Sequence, residues 1–199
     1  MTTSNSDILA DRSSPIAGVD EVGRGSLFGP VVAAAVILEP KAAIQLSSLG
    51  VKDSKRLTAQ QREALVIPIK AQADAFAIGL ASVHEIDRFN ILQASLLAMK
   101  RAINRLACSP SLCLVDGNQE IPGLTFPQKT VVRGDQTQVS IAAASVLAKV
   151  WRDALIVRLD NRYPGYDLAS NKGYGSARHR RAIACLGLSP QHRKSFRIR

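Results

Sequence analysis

The sequence contains only three cysteines, Cys108, Cys113 and Cys185. The number is odd and none of the paired spacings of a zinc ribbon is present, so neither a disulfide framework nor a structural zinc site is expected. All three read as small buried side chains. Long apolar runs are also missing: the longest, such as Pro30 to Leu38, fall far short of the roughly 18 residues of a membrane span. The opening stretch "MTTSNSDILADRSSP" has neither the basic head nor the apolar block of a secretion signal. It reads as a disordered tail over residues 1–15, and the expected location is the cytoplasm. There is no internal repeat, no low-complexity linker and no P-loop or dinucleotide fingerprint.

What remains is a chain of 199 residues, 46% of them hydrophobic, long enough to bury a substantial core in one domain over residues 16–199. Its formal net charge is +10, and the stretch from Val150 to Arg199 holds eleven Lys or Arg against three Asp. A basic end on a near-neutral body fits a polyanion partner, most simply nucleic acid. A solvated surface that aids solubility fits equally well, and composition leaves both open.

Ile16 to Val19 and Val31 to Leu38 read as two strands joined by "GRGSLFGP" in an antiparallel hairpin. A helix follows a Thr58 cap and is expected to break or kink near Pro68. "DAFAIGLASV" reads as a third strand. His84 to Leu106 is the clearest helix, with an apolar stripe at Ile86, Phe89, Leu92, Leu96, Met99 and Ile103 that belongs to the core. "LCLVDG" and "KTVVRGD" read as two further strands, followed by a long helix over about 139–160 and a basic region of loop and helix. This order predicts an α/β fold, a mixed sheet covered by helices.

Three apolar segments end on acids: "IAGVDE" on Asp20 and Glu21, "LCLVDG" on Asp116, and "TVVRGD" on Asp135. One such ending is explained by a turn; three are harder to explain that way, because acids are depleted in strands and seldom buried without a partner. If the strand ends converge, the carboxylates repel one another until divalent cations relieve the repulsion. Oxygen donors without His or Cys favour Mg²⁺ or Mn²⁺, and paired ions of that kind split phosphodiesters. Neighbouring side chains on a strand face opposite ways, so Asp20 and Glu21 are expected to share a site only where the strand ends or bulges. Gly23 and Gly25 permit such a turn and a close approach of backbone to a ligand.

The motifs "GVDEVGRGSLFGPVVAAAV", "VKDSKRLT", "LVDGN", "VVRGDQTQVSIAAASVLAKVWRD", "NKGYGSARH" and "HRKSF" resemble, in order, those of bacterial ribonuclease HII. The resemblance runs from about Ile16 nearly to the C-terminus. It implies a ribonuclease H-like mixed sheet with a helical, basic C-terminal part. The implied activity is cleavage of the RNA strand of RNA–DNA hybrids and nicking of DNA 5′ of an embedded ribonucleotide, leaving 3′-hydroxyl and 5′-phosphate ends. Residue by residue, it implies that Asp20, Glu21, Asp116 and Asp135 hold divalent metal, Mn²⁺ or Mg²⁺. Asp153, the rival for the fourth place, sits in a predicted helix beside Arg152, where an ion pair or a solvated position explains it.

The resemblance further implies that Gly23, Arg24 and Gly25 sense the 2′-hydroxyl, the group that distinguishes RNA from DNA, and that Tyr174 meets the sugar at the RNA-to-DNA junction. "GYGS" carries serine where many relatives have threonine. Lys52, Lys55, Lys149, Lys172 and Arg178 are candidate phosphate contacts. His179 and His192, in loops beside arginines, read as facing solvent or phosphate; Trp151 reads as core. The partners implied are RNA–DNA hybrids and DNA with embedded ribonucleotides, met by a monomer. Two other readings remain: a two-metal nuclease of the same fold acting on DNA junctions or recombination ends, and a non-catalytic basic nucleic-acid-binding module.

Overall fold

The computed structural model describes residues 15–51 and 57–198. Strands β1 (Ile16–Val22), β2 (Val31–Ile37) and β3 (Ala75–Ala81) form an antiparallel meander. On the other side of β1, β4 (Leu112–Asp116) and β5 (Gln128–Val131) pair in parallel, giving the order β3-β2-β1-β4-β5. All seven residues of β2, "VVAAAVI", are buried, as a strand covered on both faces requires. The last residue of the expected tail is anchored: Pro15 O accepts from Ser111 N at 2.8 Å. Residues 1–14 lie outside the described residues.

Helices α1 (Pro40–Ser48) and α2 (Ala59–Gln72) follow β2, α3 (Val83–Ile103) follows β3, and α4 (Gly134–Thr137) and α5 (Val139–Arg162) follow β5. One face of the sheet packs Ala17, Val19, Ala33 and Val115 against α3; the other packs Val32, Ala34 and Val36 against α5. Both approaches are close because glycine leaves room. A Cβ on Gly18 would lie 2.4 Å from Ile141 N on α5, and one on Gly79 would lie 2.2 Å from Ala98 O on α3. Among the described residues no helix is long and apolar enough to cross a membrane.

Several expectations from sequence need correction. α1 was not anticipated. α2 starts at a complete Thr58–Gln61 capping box and does not break at Pro68, continuing to Gln72 with Leu65 and Ile69 buried. The long apolar-striped helix is two helices, because Asn90 adopts φ 71° and ψ 166° and its side chain caps the second by accepting from Leu92 N and Gln93 N. That break turns Phe89 out of the stripe, and it is 41% exposed. Of the cysteines, Cys113 is buried, but Cys108 and Cys185 are exposed.

The C-terminal part comprises α6 (Leu168–Asn171), α7 (Ala177–Leu186) and an irregular end, packed on a small core of Phe28, Ile156, Tyr166, Leu168 and Ile183. His179 and His192 do not face solvent or phosphate. They are buried and joined by a 3.1 Å Nε2–Nε2 contact. Ser189 N donates to His192 Nδ1, so that nitrogen carries no proton, and His192 Nε2–H donates to His179 Nε2. The proton of His179 is then on Nδ1, where it donates to the Tyr174 carbonyl at 2.9 Å. The chain of bonds fixes both tautomers and works only with both rings neutral.

Two predictions follow from this packing. Gly18→Ala forces α5 off the sheet and should cost about 1–3 kcal/mol, whereas Gly25→Ala, with nothing within 4 Å of the new Cβ, should stay within about 0.5 kcal/mol; urea unfolding of both variants checks this. Burial, reinforced by His179, lowers the His192 pKa from 6.5 to about 4. Between those values the unfolded chain binds a proton that the folded chain refuses, so this residue makes stability fall as pH drops from 6.5 toward 4. His192→Gln should therefore show a shallower loss of unfolding midpoint over that window than the parent; identical slopes would contradict the assignment.

Candidate active site

β1 and β4 run parallel in the register Ile16↔Leu112 through Val19↔Val115, so the next residues on the two strands are Asp20 and Asp116. Val19 and Val115 point into the α3-side core, and alternation therefore turns both aspartates toward α5. There the Ser145 hydroxyl bonds the Asp20 carboxylate. β1 neither ends nor bulges at Asp20–Glu21, contrary to expectation: its pairing with β2 continues through Glu21↔Ala33 and Val22↔Val32. The two acids share a cleft for a different reason. β4 stops at Asp116, so the last residues of β1 have no neighbour on that side and Glu21 reaches the opening from the opposite face.

The cleft has a volume of about 490 Å³, and its walls include Asp20, Glu21, Asp116, Gly23, Arg24 and Tyr174. Asp20 is 5% exposed. Burial first, then the charges of Glu21 and Asp116, raise its pKa well above the ordinary carboxylate value, against hydrogen bonds from Ser145 and from the Glu21 N–H. The Glu21 pKa is raised mainly by burial and secondarily by Asp116; Arg24 opposes this through a 3.3 Å ion pair. Asp116 Oδ1 accepts from Gly134 N at 2.7 Å, which ties the end of β4 to the start of α4.

Asp135 does not end a strand. β5 stops at Val131, and Asp135 lies in α4, 1% exposed, next to the glycine that binds Asp116. Asp135 is among the residues of a separate recess with Ser47, Val51 and Val139 and is not among those that line the cleft. Among the described residues no three acidic, His or Cys groups form a closed cage. The donor set nevertheless fits a hard divalent cation: it consists of oxygens only, and its most buried member is held against its own charge by desolvation and like-charged neighbours.

Of the basic residues singled out from sequence, Lys149 lines the cleft, pairs with Asp153 at 3.0 Å and lies 5.4 Å from the Tyr174 ring centroid. Asp153 is thus engaged by Lys149, one turn away on α5, rather than by its neighbour Arg152. Lys172 turns its Nζ to the Ala169 carbonyl, and Arg178, exposed, meets Asp167 at 3.6 Å; neither borders the cleft. Gly25 is exposed on the loop, and Lys52 and Lys55 lie outside the described residues. Trp151 packs on the α5-side core. Sequence reasoning missed Ser145 and Arg62, which also line the cleft; a serine within "AAAS" and one more charged residue in a helix carry no local signal.

The model of the ribonuclease HII family matches residues 17–199. Ribonuclease HII of Acaryochloris marina is 66% identical over 188 residues, 94% of this chain and 95% of that protein. The Synechococcus elongatus protein of the same name is 60% identical over 186 residues, 94% and 86% of the two chains. Among solved structures, ribonuclease H2 from Pyrococcus horikoshii superposes with a TM-score of 0.78 at 29% identity, covering 92% of this chain and 94% of that one. RNase HII from Archaeoglobus fulgidus, solved in complex with PCNA, gives 0.78 at 27%, covering 93% and 96%. With its motifs, its mixed sheet and the acid cleft at the ends of β1 and β4, the chain belongs to the ribonuclease HII family and is an endoribonuclease of the ribonuclease H type acting on RNA–DNA hybrids.

Proposed function

We propose that the chain, besides cutting the RNA strand of hybrids, nicks DNA on the 5′ side of a single embedded ribonucleotide and leaves 3′-hydroxyl and 5′-phosphate ends. The observation that carries this reading is the meeting in one cleft of Asp20, Glu21 and Asp116 with Gly23, Arg24 and Tyr174. Asp20, Glu21 and Asp116 line the cleft and would hold Mg²⁺ or Mn²⁺; Asp135 would complete the set from behind Asp116, which the preceding Gly134 amide binds. When bound, such ions activate a water and stabilise the leaving oxygen of a phosphodiester.

The protein's own groups supply placement. Gly23, at φ 93°, turns the chain back over the cleft, so that loop N–H groups are available to the ribose and its flanking phosphate. Arg24, with its side chain 50% exposed and tethered by Glu21, offers a cation at the rim. Tyr174, flanked by Lys149 and Arg152, presents a ring and a hydroxyl to the junction sugar. Lys149 and Arg62, which also line the cleft, are within reach of a phosphate there, and the positive C-terminal part favours the duplex as a whole.

The test is cleavage of one DNA duplex with and without a single embedded ribonucleotide, in Mg²⁺, in Mn²⁺ and in chelator. The parent should cut only the ribonucleotide-containing duplex and only with metal. Asp20→Asn and Asp116→Asn should each lose several kcal/mol of transition-state stabilisation, roughly 10³-fold in rate, while still binding the duplex. Cutting of the all-DNA duplex, or near-parental turnover in either variant, would refute the reading.

A further inference from the structure

Two arginines that take no part in the cleft, Arg152 and Arg193, are 0% and 1% exposed. Among the described residues no carboxylate pairs with either. Arg152 Nε donates to Pro30 O at 3.1 Å, one terminal nitrogen to Lys172 O at 2.9 Å, and the other to Ser26 Oγ at 2.7 Å and Phe28 O at 2.9 Å. Arg193 donates to Gly29 O at 3.0 Å and Arg24 O at 2.8 Å. The other terminal nitrogen of Arg193 is buried without a hydrogen-bond partner. A buried cation whose hydrogen bonds go only to neutral oxygens is a poor source of stability, since an apolar side chain of similar volume avoids its desolvation. What the guanidinium provides instead is a rigid fork with fixed donor directions.

Those directions join the two parts of the proposed sugar site. The acceptors of Arg152 lie on the segment after Gly23 and on the residue before Gly173–Tyr174, and its guanidinium carbon lies 5.5 Å from the Tyr174 ring centroid. The glycines are shaped to this floor: a Cβ on Gly23 would lie 2.2 Å from Arg152 Nε, and one on Gly173 would lie 2.8 Å from Phe28 O. Ser26 Oγ closes the joint by sharing its one proton between Phe28 O and Gly173 O, and Leu27 N donates to Gly173 O at 2.9 Å.

We infer that Arg152, assisted by Arg193, is a positioning residue that fixes the distance between the Gly23–Arg24–Gly25 loop and Tyr174, and thereby sets how well the enzyme acts on a lone ribonucleotide compared with a continuous hybrid. The inference rests on the sugar-site reading above. A lone ribonucleotide offers one productive register, so a loop displaced by about 1 Å costs about 10²-fold. A continuous hybrid offers a 2′-hydroxyl at every position and tolerates the displacement.

The experiment measures kcat and KM of the parent, Arg152→Met, Arg152→Lys and Ser26→Ala on a duplex with one ribonucleotide and on a continuous hybrid, with the metal concentration for half-maximal rate as a further readout. Arg152→Met should lose about 10²-fold on the lone ribonucleotide, in kcat rather than KM, and at least several-fold less on the hybrid, with the metal requirement unchanged. Arg152→Lys keeps the charge without the fork and should fall between Met and the parent; Ser26→Ala should shift the same ratio more weakly. Equal losses on both substrates, or parental selectivity in Arg152→Lys, overturn the inference. Should Arg152→Met fail to fold, Ser26→Ala, which removes one acceptor and no charge, decides by the same ratio. A parent that does not cut the lone ribonucleotide would instead sink the sugar-site reading itself.

Discussion

The parallel pairing of β1 with β4 is the constraint on which the rest depends. It aligns two strands so that one register step beyond Val19↔Val115 brings Asp20 and Asp116 side by side, at a point where burial and like charge both disfavour ionisation. A hairpin alone could not do this, because the antiparallel partner of β1 on its other side is the apolar β2, which contributes only Ala34 and Ala33 opposite the acids. The neighbouring elements serve this juxtaposition. Gly18 lets α5 lie close enough for Ser145 to reach Asp20, and the Gly134 amide at the start of α4 holds Asp116 in place.

Around this electrostatically costly centre the structure places a rigid, hydrogen-bonded frame. The loop after β1 and the segment around Tyr174 come from opposite ends of the chain, and buried polar groups join them: Arg152 and Ser26 from beneath, Arg193 from the C-terminal end, and the neutral His179–His192 pair behind the Tyr174 carbonyl. Each of these bonds has defined geometry in an environment where leaving it unmade is expensive. On the proposed reading, metal binding and sugar placement fall to different layers: carboxylates at the strand ends for the first, and loops fixed by buried donors for the second.

Much of this was legible in the sequence, where the signal was local. Alternation and continuous apolar runs marked all five strands, and the Thr58 cap marked the start of α2. Acids at the ends of apolar runs marked three of the cleft's carboxyl-bearing residues. The information that was not local was lost. Asn90 interrupts a correct apolar period because its side chain can cap a new helix, which periodicity does not register. His179 and His192 lie among arginines in sequence, yet face each other because the last segment returns to pair Phe28 with His192. Arg152 stands out in the sequence only as the neighbour of Asp153, and the tertiary arrangement of carbonyls is what reveals its burial. The position of Asp135, four residues past the end of β5 in a one-turn helix, could not be told from that of a strand-end acid.

The central claim is that the acids of β1 and β4 repel one another in a site that a divalent cation relieves. The most direct measurement is the thermal unfolding midpoint of the full chain at neutral pH, titrated with Mn²⁺, for the parent and for Asp116→Asn. Binding to the folded state alone should stabilise the parent by about 2.7 kcal/mol at a hundredfold excess over Kd, and most of that gain should vanish in Asp116→Asn. No shift in the parent, or the same shift in both proteins, would contradict the account.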